Sequence, residues 1–337
     1  MTLSHQNLSR LIEPRSHLNP DRRIRWKIAM ATLSIALMSS TKSIPQNSPQ
    51  SETSGIEALM SRVGPPSEDA VDEFKKAGME NVKPHTLTAA ERVKIENALA
   101  SLPGLNRRVL KKKLHQLAFV DGIPGEGTGL TSQLANTGLY DITLRASILD
   151  EPLSTFLTVK EGRVFTDDGS GMTVTVKGTG TDALTYVLLH ESTHVVDKSC
   201  GITPGSRAFD SGIWLSQSNM VPALAPSVAA ATYFRGGQRL SVRKAEAVYD
   251  SLARTPFVSL YATASPQEDF AELVAWHEIL DRHHGRLVVE ITDAHGKAMW
   301  QWEPLKFPQV QERFSAVDDL LDSQRPCRGL SWFVNGG

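Results

Sequence analysis

His190-Glu191-Ser192-Thr193-His194 constrains this chain more than any other stretch. On a helix, two histidines four positions apart lie on one face, one turn apart. That spacing presents both imidazoles to one zinc ion. It leaves the intervening glutamate free to act as general base on a zinc-bound water. The flanking sequence agrees with a helix. Thr181 or Asp182 can cap it after the Gly178-Thr179-Gly180 break. Leu184, Val187, Leu188 and Val195 recur at helical spacing, and Gly201 stands where a C-terminal stop belongs. Asp197 extends the histidine face by nearly two turns. Its short side chain can bind metal, but orienting a histidine from behind is the better reading. Cys200 sits about 80° off the ligand face and is rejected as a ligand. Without a metal, the same stretch would be a half-buried amphipathic helix with two satisfied histidines.

A catalytic zinc needs a third protein ligand and a position open to water. The best source is Tyr261-Ala262-Thr263-Ala264-Ser265-Pro266-Gln267-Glu268-Asp269-Phe270-Ala271-Glu272. Ser265 is a good N-cap, Pro266 suits the first helical turn, and Glu268 stands three residues past Ser265 as in a capping box. Leu273, Val274 and Trp276 continue the helix. Glu268 and Glu272 share a face, and two carboxylates there repel unless a cation or hydrogen-bond donors offset them. A zinc ion and an imidazole N–H would do so. Glu268 is therefore assigned to the metal and Glu272 to the N–H of a ligand histidine, His190. Read alone, Glu268 is only a capping residue and Glu272 a solvated charge; the upstream motif decides between the two readings.

The pattern His190-Glu191-x-x-His194-x-x-Asp197, then Tyr261, then Glu268-Asp269-Phe270-Ala271-Glu272 resembles the catalytic core of the anthrax lethal factor and Pro-Pro endopeptidase group. Those proteins are gluzincin metallopeptidases, in which two histidines and a glutamate hold zinc. The resemblance spans residues 165–282. It implies an α+β fold: a zincin-like catalytic domain with a mixed sheet, an active-site helix and a glutamate helix, preceded by a helical N-terminal region. It also implies Glu268 as third ligand, Glu272 as its support, and Tyr261 as the hydroxyl that stabilises the transition state. The seven-residue step from Tyr261 to Glu268 is its most specific part. On the same resemblance, the strand-like residues 172–176 form the sheet edge that pairs with an extended substrate. The chain departs from the pattern at Asp269, where the family often has an aromatic, and at Thr193, where it often has glycine. The segment between His194 and Tyr261 is also longer.

The implied function is a zinc-dependent endopeptidase with one Zn2+ per chain and a protein or peptide substrate. Glu191 takes the water proton and passes it to the leaving amine, and Tyr261 donates to the oxyanion. One alternative is a degenerate protease scaffold that acts as a binding protein. Another is a zinc hydrolase of a cell-wall peptide. The intact set His190, Glu191, His194, Tyr261 and Glu268 speaks against degeneration.

At 337 residues the chain has room for one large domain or two smaller ones. Its net charge of −1 leaves no basic footprint for nucleic acid. Residues 1–27 carry six Lys or Arg against Glu13 and Asp21, and an apolar run over 28–38 follows. That run is too short for a span of about 20 residues and suits the core of a secretory signal. The expectation is an exported protein, periplasmic or secreted. Residues 1–40 are then a signal peptide or an inner-membrane anchor through residues 28–38. Residues 41–66, rich in Ser, Pro, Gln and Thr, read as a disordered linker. Residues 67–120 read as helices, clearest at 89–99 and 108–117. Residues 121–325 form the metallopeptidase domain and 326–337 a tail. Within the domain, 122–138 reads as a loop and 140–146 as a strand. Residues 202–240 read as an insert lining the cleft, 287–291 and 299–302 as a hairpin, and 307–321 as an amphipathic helix. In an exported protein Cys200 and Cys327 could form a disulfide closing a large loop, if their geometry allows it, which sequence does not decide.

Overall fold

The computed structural model describes residues 49–125, 127–203 and 207–322. Helices α1 (Pro49–Met60) and α2 (Glu68–Lys76) lead into strand β1 (Glu80–Pro84) and helices α3 (Ala89–Ser101) and α4 (Gly104–Lys113). Strands β2 (Leu114–Ile123), β3 (Gly129–Gln133) and β4 (Tyr140–Arg145) follow, then α5 (Leu153–Gly162), β5 (Phe165–Thr166) and β6 (Thr173–Gly178). The remainder is α6 (Ala183–Cys200), α7 (Arg207–Asp210), β7 (Leu240–Ser241), α8 (Ala245–Leu252), α9 (Pro266–His283), β8 (Leu287–Thr292), β9 (Ala298–Trp302), α10 (Pro308–Gln311) and α11 (Phe314–Leu321). The architecture is mixed α+β, with helices preceding the sheet and flanking it.

The four-stranded sheet runs β1-β2-β4-β3. β2 is parallel to β4, while β1 and β3 are antiparallel to their neighbours. β2 carries the chain through residue 120 with Leu117, Ala118, Phe119 and Val120 all buried. The helix expected over 108–117 therefore stops at Lys113. From Leu114 on, pairing to two neighbours and burial of an aromatic and a β-branched residue favour the strand. β3 lies inside the stretch read as a loop. Gly-Leu-Thr-Ser-Gln is too short and polar to declare itself, and its pairing with β4 defines it. A second, antiparallel sheet runs β6-β8-β9, with β8 and β9 forming the expected hairpin. α5 packs on β6.

α6 is the central helix, buried at every position from Ala183 to Asp197. α9 packs along it, and α3 and α4 pack behind it. Asn106 on α4 donates through Nδ2 to Ser192 Oγ at 2.8 Å and to Thr193 Oγ1 at 3.3 Å. The two middle residues of the histidine motif thus anchor the motif to the N-terminal helices. One hydrophobic cluster extends from Leu59 on α1 to Leu320 on α11. Leu59 is fully buried although α1 lies in the stretch whose composition suggests a linker.

No helix among the described residues is long and apolar enough to cross a membrane. The longest, α6 and α9, have 18 residues each, carry charged side chains and are buried in protein. A span needs about 20 mostly apolar residues. The expected membrane anchoring, and the exported or inner-membrane location built on it, are corrected accordingly. The run 28–38 itself lies outside the described residues, as does Cys327.

Candidate metal centre

The helix that carries the motif is fixed at both ends by its own sequence. Asp182 is the N-cap, accepting from Thr185 N at 2.8 Å. Gly201 closes the C-terminus at φ 66°, a left-handed conformation glycine adopts freely, and its N–H bonds Asp197 O. His190 and His194 sit between these ends, one turn apart and buried.

Glu268 arrives on the first turn of α9, where Ser265 caps the helix by accepting from Glu268 N at 3.2 Å. A full capping box would return the Glu268 carboxylate to the Ser265 backbone. That happens at α3, where Thr88 and Glu91 bond reciprocally. At α9 the carboxylate turns to the histidines instead. His190 Nε2 lies 3.0 Å from Glu268 Oε2. His194 Nε2 lies 3.1 Å from His190 Nε2 and 3.5 Å from Glu268 Oε2. Tetrahedral donors bound to zinc at about 2.0–2.1 Å stand about 3.3–3.4 Å apart. The observed separations bracket that edge.

The charges agree. Burial opposes a proton on His190, yet Glu268 and Glu272 push it up to about 10. Burial also opposes the Glu268 charge, yet His194 and His190 hold that carboxyl well below the usual range. The cluster therefore draws positive charge to one point. Two imidazoles and a carboxylate suit zinc, whereas calcium and magnesium prefer all-oxygen sets. His190, His194 and Glu268 are thus a candidate metal site.

Glu272 lies behind His190, its Oε1 3.0 Å from Nδ1 at an angle poor for a hydrogen bond. That oxygen also accepts from Tyr186 Oη and from Lys160 Nζ at 2.8 Å, and Oε2 accepts from Ser259 Oγ at 2.7 Å. Burial disfavours the Glu272 charge, but Lys160 and His190 hold it far below the ordinary range. Lys160 also lies 4.2 Å from the centre of the Tyr261 ring. The Tyr261 ring is 5.9 Å from that of His190 and edge-on to Phe234 at 5.0 Å. Burial, then Glu268, Glu191 and Glu272, raise the Tyr261 phenol well above its usual range, so it stays a donor.

Glu191 points to strand β3. Its Oε2 accepts from Thr131 Oγ1 at 2.6 Å. A methyl group on Gly129 would lie 2.6 Å from Oε1. The strand beside Glu191 is thus β3, the edge of the larger sheet, and not β6. Asp197 spends its carboxylate on Thr203, accepting from its N at 2.7 Å and from Oγ1. Asp269 is buried between Arg313, paired at 2.8 and 2.9 Å, and Trp214 Nε1 at 3.0 Å. Sequence reasoning missed Gly129, Thr131 and Lys160. Each belongs to a segment at least 30 residues from the motif, and no local spacing announces it.

No protein-family model matches the chain, and no curated protein matches it. Among solved structures, the chain is similar to a Bacteroides caccae protein provisionally described as a zinc-binding metallo-peptidase. The identity is 13%, over 82% of this chain and 88% of that one, with a TM-score of 0.34. A likeness this loose carries no argument about fold or function.

Proposed function

We propose that the protein is a zinc-dependent hydrolase of peptide bonds, built on a zincin-like frame and akin to the lethal factor and Pro-Pro endopeptidase group. One observation carries the reading: three ligand atoms converge from α6 and α9 while Glu191 turns to an edge strand beside them. His190, His194 and Glu268 would hold the metal. Zinc bound there supplies Lewis acidity and lowers the pKa of water towards about 7.

The other parts belong to the chain. Glu191 accepts the water proton at its carboxylate and delivers it to the leaving amine. Thr131 holds that carboxylate by its hydroxyl, and the missing side chain of Gly129 leaves it room. Tyr261, protonated, donates to the oxyanion. Glu272 fixes His190, with Lys160, Tyr186 and Ser259 holding Glu272 in turn. β3 offers its outer edge to an extended peptide by strand addition.

The test is zinc per chain in the full-length protein, beside Glu268→Ala and Glu191→Ala. We expect near one zinc in the wild type, far less in Glu268→Ala, and near one in Glu191→Ala with turnover lost. A folded wild type that binds no zinc would sink the reading in favour of a binding scaffold. A Glu191→Ala variant that cleaves peptides as fast as wild type would remove the general base.

A further inference from the structure

A pocket of about 140 Å³ opens beside the metal centre, and its walls include His190, Glu191 and Tyr261. Three cations, Arg145, Lys160 and Arg163, share the lining. Two of them already have carboxylate partners. Arg145 pairs with Glu151 and donates to Ser147, and Lys160 pairs with Glu272. Arg163 differs. It caps the C-terminus of α5, is half-buried, and donates only a long 3.5 Å bond from Nη2 to the Gly125 carbonyl. No carboxylate among the described residues pairs with it.

With no anion among the described residues to pair with, this half-buried guanidinium faces the pocket having lost part of its water. Its planar fork matches a carboxylate in two parallel bonds. A neutral side chain entering the pocket would strip more water from Arg163 and return nothing. We propose that this pocket receives a carboxylate of the substrate adjacent to the scissile bond, with Arg163 as the specificity-determining residue. The inference rests on the hydrolase reading above. The carboxylate can come from an acidic side chain or from the substrate's own C-terminus.

Two measurements test it on the zinc-loaded full-length protein. The first is cleavage of a randomised peptide library, read by mass spectrometry, with wild type, Arg163→Gln and Arg163→Lys. We expect Asp, Glu or a free C-terminus to be enriched next to the cut. The enrichment should vanish in Arg163→Gln and return in part in Arg163→Lys. Cleavage without acid preference, or a preference that survives Arg163→Gln, overturns the inference and leaves the hydrolase reading standing. Absence of any cleavage overturns the hydrolase reading, and the second measurement then decides the inference.

That measurement is calorimetric binding to the Glu191→Ala protein. Its probes are acetylated, amidated Gly-Gly-Glu-Gly, its Gln counterpart, and acetylated Gly-Gly-Gly with a free carboxyl. A charge-assisted pair at a half-buried site is expected to favour one acidic probe by about tenfold or more. Arg163→Gln should abolish the difference, and the preferred probe identifies the source of the carboxylate. Equal binding of all three, or a difference that Arg163→Gln leaves intact, overturns the inference.

Discussion

Glu191 is aimed from outside its own helix, by Thr131 and by the absence of a side chain at Gly129. Gly129→Ala puts a methyl group where the carboxylate now lies, so Glu191 must move. A displacement of about 1 Å in a proton-transferring group can cost on the order of 100-fold in rate. We expect Gly129→Ala to lose tenfold or more in kcat/KM while keeping its zinc; full activity would show that the close approach is unimportant. Glu161 offers a prediction in pH. Burial pushes its carboxyl from the ordinary 4.5 up to about 7, against the bond it accepts from Tyr249 Oη at 2.7 Å. The folded state thus holds this proton more tightly than the unfolded chain. The stabilisation is complete below about pH 4.5 and is lost as pH rises towards about 7, a change of about 3 kcal/mol. Glu161→Gln should therefore gain on wild type between pH 5 and pH 8 in urea melts. A difference that does not change with pH would contradict this. His190, His194 and Glu268, which the structure brings within ligand distance of one another, could be picked out from sequence, the histidines by helical spacing and Glu268 by the pattern that starts its helix and by the resemblance. Lys160 could not, because only the packing of α5 brings it to Glu272.

Among the elements, both ends of α6 and the start of α9 were legible to within a residue or two, since Asp182, Gly201 and Ser265 mark them. β1, β2 and β3 were not, because neighbouring strands, more than local preference, decide them. Asp269 makes α9 a clamp as well as the carrier of a candidate ligand. Where the family resemblance expects an aromatic, this chain joins Trp214 of the segment after α7 to Arg313 before α11. Burial raises the Asp269 carboxyl even against Arg313, so the pair depends on its full set of bonds. Asp269→Asn leaves a buried guanidinium uncompensated, and we expect a loss of about 3 kcal/mol or more in chemical denaturation. A loss under about 0.5 kcal/mol, the size of an ordinary surface change, would mean that the clamp is idle.

At the scale of the molecule, the proposed ligands come from two helices far apart in the chain, α6 and α9, inside one continuous core. A metal bound there favours the folded state by mass action, about 4 kcal/mol when free metal exceeds Kd a thousandfold. For a chain of this length, that is about 6 °C in melting temperature. We expect a chelator to lower the midpoint by that order and zinc to restore it; superimposable melts would rule out a metal coupled to the fold. The unfinished cap of α9 has a bearing on the chain's history. Glu268 could close the box with Ser265, as Glu91 does with Thr88, and gain on the order of 1 kcal/mol for the helix. Facing the histidines, it forgoes that gain. Where no metal is bound, selection for stability would therefore favour turning this side chain away from the histidines. A descendant released from metal binding is expected to keep the glutamate, complete the cap and melt later than its ancestor stripped of metal.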